Sequence, residues 1–294
     1  MEDAVIRSLL FVPGDKEKLI HKALASASDA VIVDLEDAVG PEFKLAARDV
    51  TLEALTSAGR TKPVFVRLNA FDTGMTAGDL AAIMPARPFG VMLPKCSGPA
   101  DLERLAHYLD MAEAINGIRP GATRIVTVAT ETATATLNLA IPAGHGGSRL
   151  WGLLWGAEDL AADLGLGSNR DEQGRYTDPC RHARTQCLYA ANAAKAVAID
   201  AVYVDFKDPE GLERECREGL RDGFTAKAAI HPSQVEIINR IMTPTADELE
   251  WARQVCGLLA ETGVAQLNGK MIDIAHKRLA ERILKRAGAA VGAA

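Results

Sequence analysis

Short apolar, β-branched runs recur along the chain: SLLFVP at 8–13, AVIVDLED at 30–37, PVFVRLN at 63–69 and GVMLPK at 90–95, then RIVTVATE at 124–131, LWGLLWGAEDL at 150–160, AVYVDF at 201–206 and AAIHP at 228–232. Between them lie stretches whose apolar residues share one helical face, such as Leu19, Ile20, Ala23 and Leu24, or Leu102, Leu105, Ala106 and Leu109. The pattern is a repeated βα unit. Strands this uniformly apolar belong to a parallel sheet covered on both faces, and eight units favour a (β/α)₈ TIM barrel over an open doubly wound sheet.

After the eighth unit, TPTADELEWARQVCGLLAE opens with turn and capping residues and reads as a helix. GVAQLNGKMID and a further helical stretch to Arg286 follow, and AGAAVGAA at the end is expected to fray. The expected division is a barrel over 1–242 and a C-terminal helical extension over 243–294, which packs on its own barrel or reaches a neighbour.

Composition narrows the classes. At 294 residues, with 48% hydrophobic and 24% charged positions, the chain can bury a large core without metal or disulfide support. No apolar run approaches the roughly 18 residues of a membrane span, and MEDAVIRSLLFVPGD lacks the basic start and long apolar core of a secretory signal, so a cytoplasmic protein is expected. A net charge of −6 offers no general attraction to nucleic acid or anionic lipid. The five cysteines, Cys96, Cys180, Cys187, Cys216 and Cys256, have no CxxC pairing and read as reduced structural thiols.

A TIM barrel builds its active site at the C-terminal ends of its strands. Reading each run to its end collects Glu36, Asp37, Arg67, Asn69, Lys95, Glu131, Glu158, Asp159, Asp205, Lys207 and His231. Glu131 and Asp159 suit a hard divalent cation such as Mg²⁺, though each also precedes a helical stretch and suits an N-cap. Arg67 suits a bidentate grip on a carboxylate ligand, or a structural pair with Glu36 or Asp37. No GxSxG, HExxH or P-loop is present, and AGHGGSR lacks the strand-to-helix context of a dinucleotide fingerprint. The histidines His21, His107, His145, His182 and His276 show no ligand spacing.

The ordered set RSLLFVPGD, VIVDLEDAV, VRLN, LPK, ETA, GAEDLAADLG, AIDAVYVDFKDPEGLEREC, GFTAKAAIHPSQV and GKMID, from about Arg7 to Asp273, resembles the citrate lyase beta-subunit-like acyl-CoA lyases, which include malyl-CoA and citramalyl-CoA lyases. The resemblance implies a TIM barrel assembled as a homotrimer or hexamer, with Mg²⁺ or Mn²⁺ on Glu131 and Asp159. It also implies a substrate carboxylate or carbonyl on Arg67, and Asp273 entering a neighbouring subunit's site as the acid-base group. Coenzyme A, as part of the substrate, is expected near Lys16 and Lys95, with lysine at 16 where many relatives carry arginine.

The activity so implied is metal-dependent cleavage of a 3-hydroxyacyl-CoA to acetyl-CoA and a 2-oxo acid. Alternatives are the beta subunit of a citrate lyase complex working with alpha and acyl-carrier gamma subunits, a malyl-CoA thioesterase or malate synthase, and a non-catalytic binding protein on the same barrel.

Overall fold

The computed structural model describes residues 5–59, 62–139 and 149–288. Eight parallel strands close into a barrel in sequence order: β1 (Ser8–Pro13), β2 (Ala30–Asp34), β3 (Val64–Arg67), β4 (Gly90–Leu93), β5 (Arg124–Val128), β6 (Leu150–Leu154), β7 (Val197–Asp200) and β8 (Ala226–Ala229). Helices α1 (Glu17–Ala25), α2 (Lys44–Ser57), α3 (Thr76–Ile83), α4 (Pro99–Ile115) and α5 (Ala133–Leu137) follow the first five strands. After β6 come α6 (Ala157–Asp163) and α7 (Asp178–Ala194), then α8 (Pro209–Asp222) after β7 and α9 (Pro232–Met242) after β8. The (β/α)₈ barrel expected from the periodicity is the fold observed.

The near-continuous apolar strands have a simple cause: both faces are buried. Leu9, Ile32, Phe65, Met92, Val126, Leu154, Ile199 and Ala228 fill the interior. Their strand neighbours Leu10, Val33, Val66, Val91, Leu153 and Ala229 point outward and pack under the helices.

The seventh strand lies earlier than expected. The ladder uses Val197–Asp200, and the alternating AVYVDF segment is the loop beyond the strand end. The strand's pairing with β6 stops at Ile199 and with β8 at Asp200, although β8 itself runs on to Ala229.

The tail consists of α10 (Ala246–Leu258), an antiparallel hairpin of β9 (Val264–Leu267) and β10 (Lys270–Asp273), and α11 (Ile274–Arg286). Thr245 and Glu248 form the capping box that starts α10. Asn268 and Gly269, at φ +49° and +76°, make the tight turn that Asn-Gly favours between strands. Ala252, Val255, Ile272, Ala280 and Ile283 give the tail an apolar cluster of its own. Val264, Met271 and Ile274 are exposed on it, Met271 at 63%.

Candidate active site

The site begins where β2 and β3 end side by side. Asp34 and Arg67 are register partners, and the guanidinium donates from Nε and Nη2 to the two Asp34 oxygens at 2.7 and 2.6 Å. Its Nη1 lies 3.0 Å from Glu36 Oε2 and 3.8 Å from Asp37 Oδ2, over the Phe11 ring. Asp34 also accepts the backbone N–H groups of Glu36 and Ala38. One carboxylate therefore fixes both the arginine and the loop bearing the next two acids.

Lys95 joins this cluster to β5. Its Nζ donates to Glu36 Oε1 at 2.7 Å, while its backbone N–H donates to Glu131 Oε1. Lys95 adopts φ +49°, a left-handed backbone that costs a non-glycine residue on the order of 1 kcal/mol, and that turn aims the amide at Glu131. Glu131 is 1% exposed, and its Oε2 is buried without a hydrogen-bond partner. Gly156, between β6 and α6, makes room for it, since a Cβ there would stand 2.6 Å from that of Glu131. Asp159 follows in the first turn of α6, half-buried.

The electrostatics show an excess of negative charge. Burial raises Glu131 to about 8, against the Lys95 amide and with Glu36 and Asp159 adding to the rise. Asp159 is likewise raised by burial and by Asp37, opposed by Arg67 and Lys95. Glu36 is raised chiefly by burial despite Arg67 and Lys95. For Arg67 burial acts against the charge, but Asp34, Glu36 and Asp37 outweigh it and hold the pKa above its ordinary value. Two cations serve five carboxylates, Asp34, Glu36, Asp37, Glu131 and Asp159.

The residues present fit a hard divalent ion. Glu131 Oε2 is an orphaned buried oxygen beside an under-neutralised second carboxylate, and all the free donors are oxygens. No group of three or more His, Cys, Asp or Glu positioned to hold a metal occurs among the described residues. Two protein carboxylates are what Mg²⁺ usually takes, with water and substrate completing the shell.

Arg67, Lys95, Glu131 and Asp159 are thus brought together. Glu131 is no helix cap: Thr132 caps α5 by accepting the Ala135 N–H. Arg67 pairs structurally, but first with Asp34, which the sequence reading had not singled out. Glu158 turns away to Asn169, and Asn69 is buried against Asp79. Asp205 closes a local turn onto the Lys207 N–H, and His231 caps α9 while stacking on Phe206. Lys16 is exposed, pairs with Asp15 at 2.7 Å and stands 6.0 Å from the Phe43 ring.

Cys96, next to the site, is buried and its thiol is pushed up to about 11. Asp273 caps α11, accepting the Ala275 and His276 N–H groups, and its hydrogen bond with the His276 ring lowers its pKa. His145, most of AGHGGSR and most of the terminal AGAAVGAA lie outside the described residues.

Residues 7–232 match the HpcH/HpaI aldolase/citrate lyase family. The chain belongs to this family. It is 37% identical over 284 residues to a citrate lyase subunit beta-like protein of Mycobacterium tuberculosis, covering 96% of this chain and 95% of that one. A (3S)-malyl-CoA thioesterase of Cereibacter sphaeroides is also 37% identical, over 295 residues, again covering 96% and 95%. Among solved structures, the CitE protein of M. tuberculosis in complex with magnesium, acetoacetate and coenzyme A superposes with a TM-score of 0.79 at 34% identity, covering 97% of this chain and 99% of that one. As a member of this family the chain is an enzyme of lyase type. No helix among its described residues is long and apolar enough to cross a membrane.

Proposed function

We propose that the protein is a Mg²⁺-dependent carbon-carbon lyase that splits a 3-hydroxyacyl-CoA of the malyl or citramalyl type into acetyl-CoA and a 2-oxo acid. The observation that carries the reading is the orphaned Glu131 oxygen beside Asp159, within a cluster that also holds Arg67. The magnesium and coenzyme A in the related CitE structure support it.

Glu131 and Asp159 would hold the ion, which supplies a Lewis acid that polarises the hydroxyl and carboxylate of the hydroxy acid. Arg67, locked by Asp34 with Nη1 turned toward Glu36 and Asp37, adds a fixed positive charge for that carboxylate. The hydroxyl proton would leave to solvent as the carbonyl forms, the pair of the breaking carbon-carbon bond would pass to the thioester as an enolate, and protonation of that enolate carbon would restore the proton count. Asp273 of a second copy protonates the enolate carbon, or removes the methyl proton in the condensing direction.

In the single chain Asp273 is half-buried and its pKa is lowered by the His276 hydrogen bond, so this role needs a cover that lifts it. The apolar residues Val264, Met271 and Ile274 around it supply a surface suited to docking on a neighbouring barrel mouth. Lys16 and Lys95 are the cations offered to coenzyme A, and a homotrimer or hexamer is the assembly this arrangement calls for.

The thioesterase relative favours a second reading, hydrolysis of malyl-CoA on the same carboxylates. The test is a panel of malyl-CoA, citramalyl-CoA and related thioesters, with Mg²⁺ and then with chelator. Chelator-sensitive release of acetyl-CoA and a 2-oxo acid is expected. Release of free coenzyme A with intact hydroxy acid selects hydrolysis, and inertness toward every coenzyme A thioester points to a carrier-bound citryl group and the other citrate lyase subunits.

Asp273→Ala and Asp159→Asn should each be inactive alone. Mixed and reassembled, they should regain activity through sites that draw intact groups from both chains, and no regain would remove Asp273 from the neighbour's site.

A further inference from the structure

Strand β6 is anchored on its outer face at both ends, by different chemistry. Just before it, Arg149 donates to both Glu113 oxygens at 2.7 Å. Just after it, the fully buried Trp155 donates its indole N–H to Asp200 Oδ1 at 2.7 Å and meets the Tyr176 ring edge-on at 4.8 Å. Asp200 ends β7 beside Lys227 of β8. Arg184 from α7 donates to Asp200, and Lys227 donates to Ala201 O at 2.7 Å and to Glu215 Oε1 at 2.8 Å. The C-terminal ends of β6 and β7 are therefore tied through the Asp200 carboxylate, which Lys227 of β8 also approaches at 3.4 Å.

The residue after Trp155 is Gly156, packed against Glu131, and Asp159 stands three further on. Any shift of the β6 end moves Asp159 relative to Glu131. We propose that Trp155 and Asp200 are positioning residues: their hydrogen bond sets the β6–α6 junction and with it the spacing of the two carboxylates that receive the divalent ion. The inference rests on the metal reading above. It extends that reading to residues on the outer face of the barrel, which touch neither ion nor substrate. Partners that orient metal ligands typically change metal affinity by about 10- to 100-fold when removed.

The experiment is a calorimetric Mg²⁺ titration, paired with thermal unfolding, on the wild type, Trp155→Phe and Glu113→Gln. Trp155→Phe keeps a buried ring and leaves Asp200 its bonds from Arg184 and the Ala201 N–H, so the fold should survive. Glu113→Gln weakens the anchor at the far end of the same strand and controls for general destabilisation. Both variants should melt earlier, but only Trp155→Phe should bind Mg²⁺ more weakly, by about tenfold or more. Unchanged affinity in Trp155→Phe, or equal losses in both variants, overturns the positioning role. A wild-type chain that binds no Mg²⁺ overturns the metal reading itself, and this inference with it.

Discussion

Two groups of largely buried charge, with Asp222 and Asp37 at their exposed margins, lie on either side of the strand ends and behave in opposite ways. Outside the barrel, Asp200, Glu215 and Asp222 face Arg170, Arg184 and Lys227, three carboxylates against three cations. At the mouth, five carboxylates face two. Burial acts on both groups, yet Lys227 and Arg184 hold Asp200 below its ordinary value while Glu131 is raised to about 8. A charge buried for architecture comes with its counter-charge in place, because leaving one unpaired in a low dielectric costs several kcal/mol. The carboxylates in deficit at the mouth are the ones the proposed divalent ion would neutralise.

The sharpest way to break this contrast is Glu131→Gln. It should lower metal-dependent turnover by at least about 10³-fold, the scale of several kcal/mol of charge stabilisation, while the metal-free melting temperature at pH 7 stays near wild type. A large loss of stability would mean that Glu131 is architectural after all. Lys227→Met is the converse. It strips Asp200 and Glu215 of their shared cation and should cost about 3 to 5 kcal/mol in denaturant unfolding, since one partner of a buried pair is removed.

Gly156→Ala should cost about 1 to 3 kcal/mol by overpacking, read in the same unfolding experiment, because the new methyl meets the Glu131 stem.

The pH dependence has a definite sign. A carboxyl raised to about 8 in the fold contributes stability that is fully present below its unfolded value near 4.5 and is lost as pH rises through about 8. Unfolding of the metal-free protein should therefore become easier across that window. On the proposed metal site Mg²⁺ would displace the Glu131 proton, so its affinity should rise up to about tenfold per pH unit until about 8 and then level off. Calorimetry in buffers of different ionisation enthalpy should show proton release at pH 7.

The barrel was legible because burial on both faces leaves a continuous apolar signature, and strand ends can be found by where that signature stops. Arg67, Lys95, Glu131 and Asp159, all at or just past strand ends, are legible in this way and lie in one cluster. Asp34 is not legible in this way, because VIVDLED presents three acids close together and only the parallel register shows which one faces Arg67. Gly156 and the left-handed backbone at Lys95 were also missed, since both follow from contacts between strands far apart in sequence. The seventh strand lies earlier than its alternation suggests, because AVYVDF keeps alternating after the ladder to β6 and β8 has stopped at Ile199 and Asp200. The hairpin in the tail has a local signal in the sequence, Asn268-Gly269.

Lys95 combines two tasks in separate atoms. Its amide serves Glu131 and depends on the fold of the main chain, while its ammonium serves Glu36 and reaches toward solvent. The oxygen cage is thereby insulated from the identity of the side chain. Substitutions that tolerate the left-handed turn can change the side-chain charge at this position and leave the carboxylates in place. Substrate preference can thus diverge among related barrels without rebuilding the centre that does the chemistry.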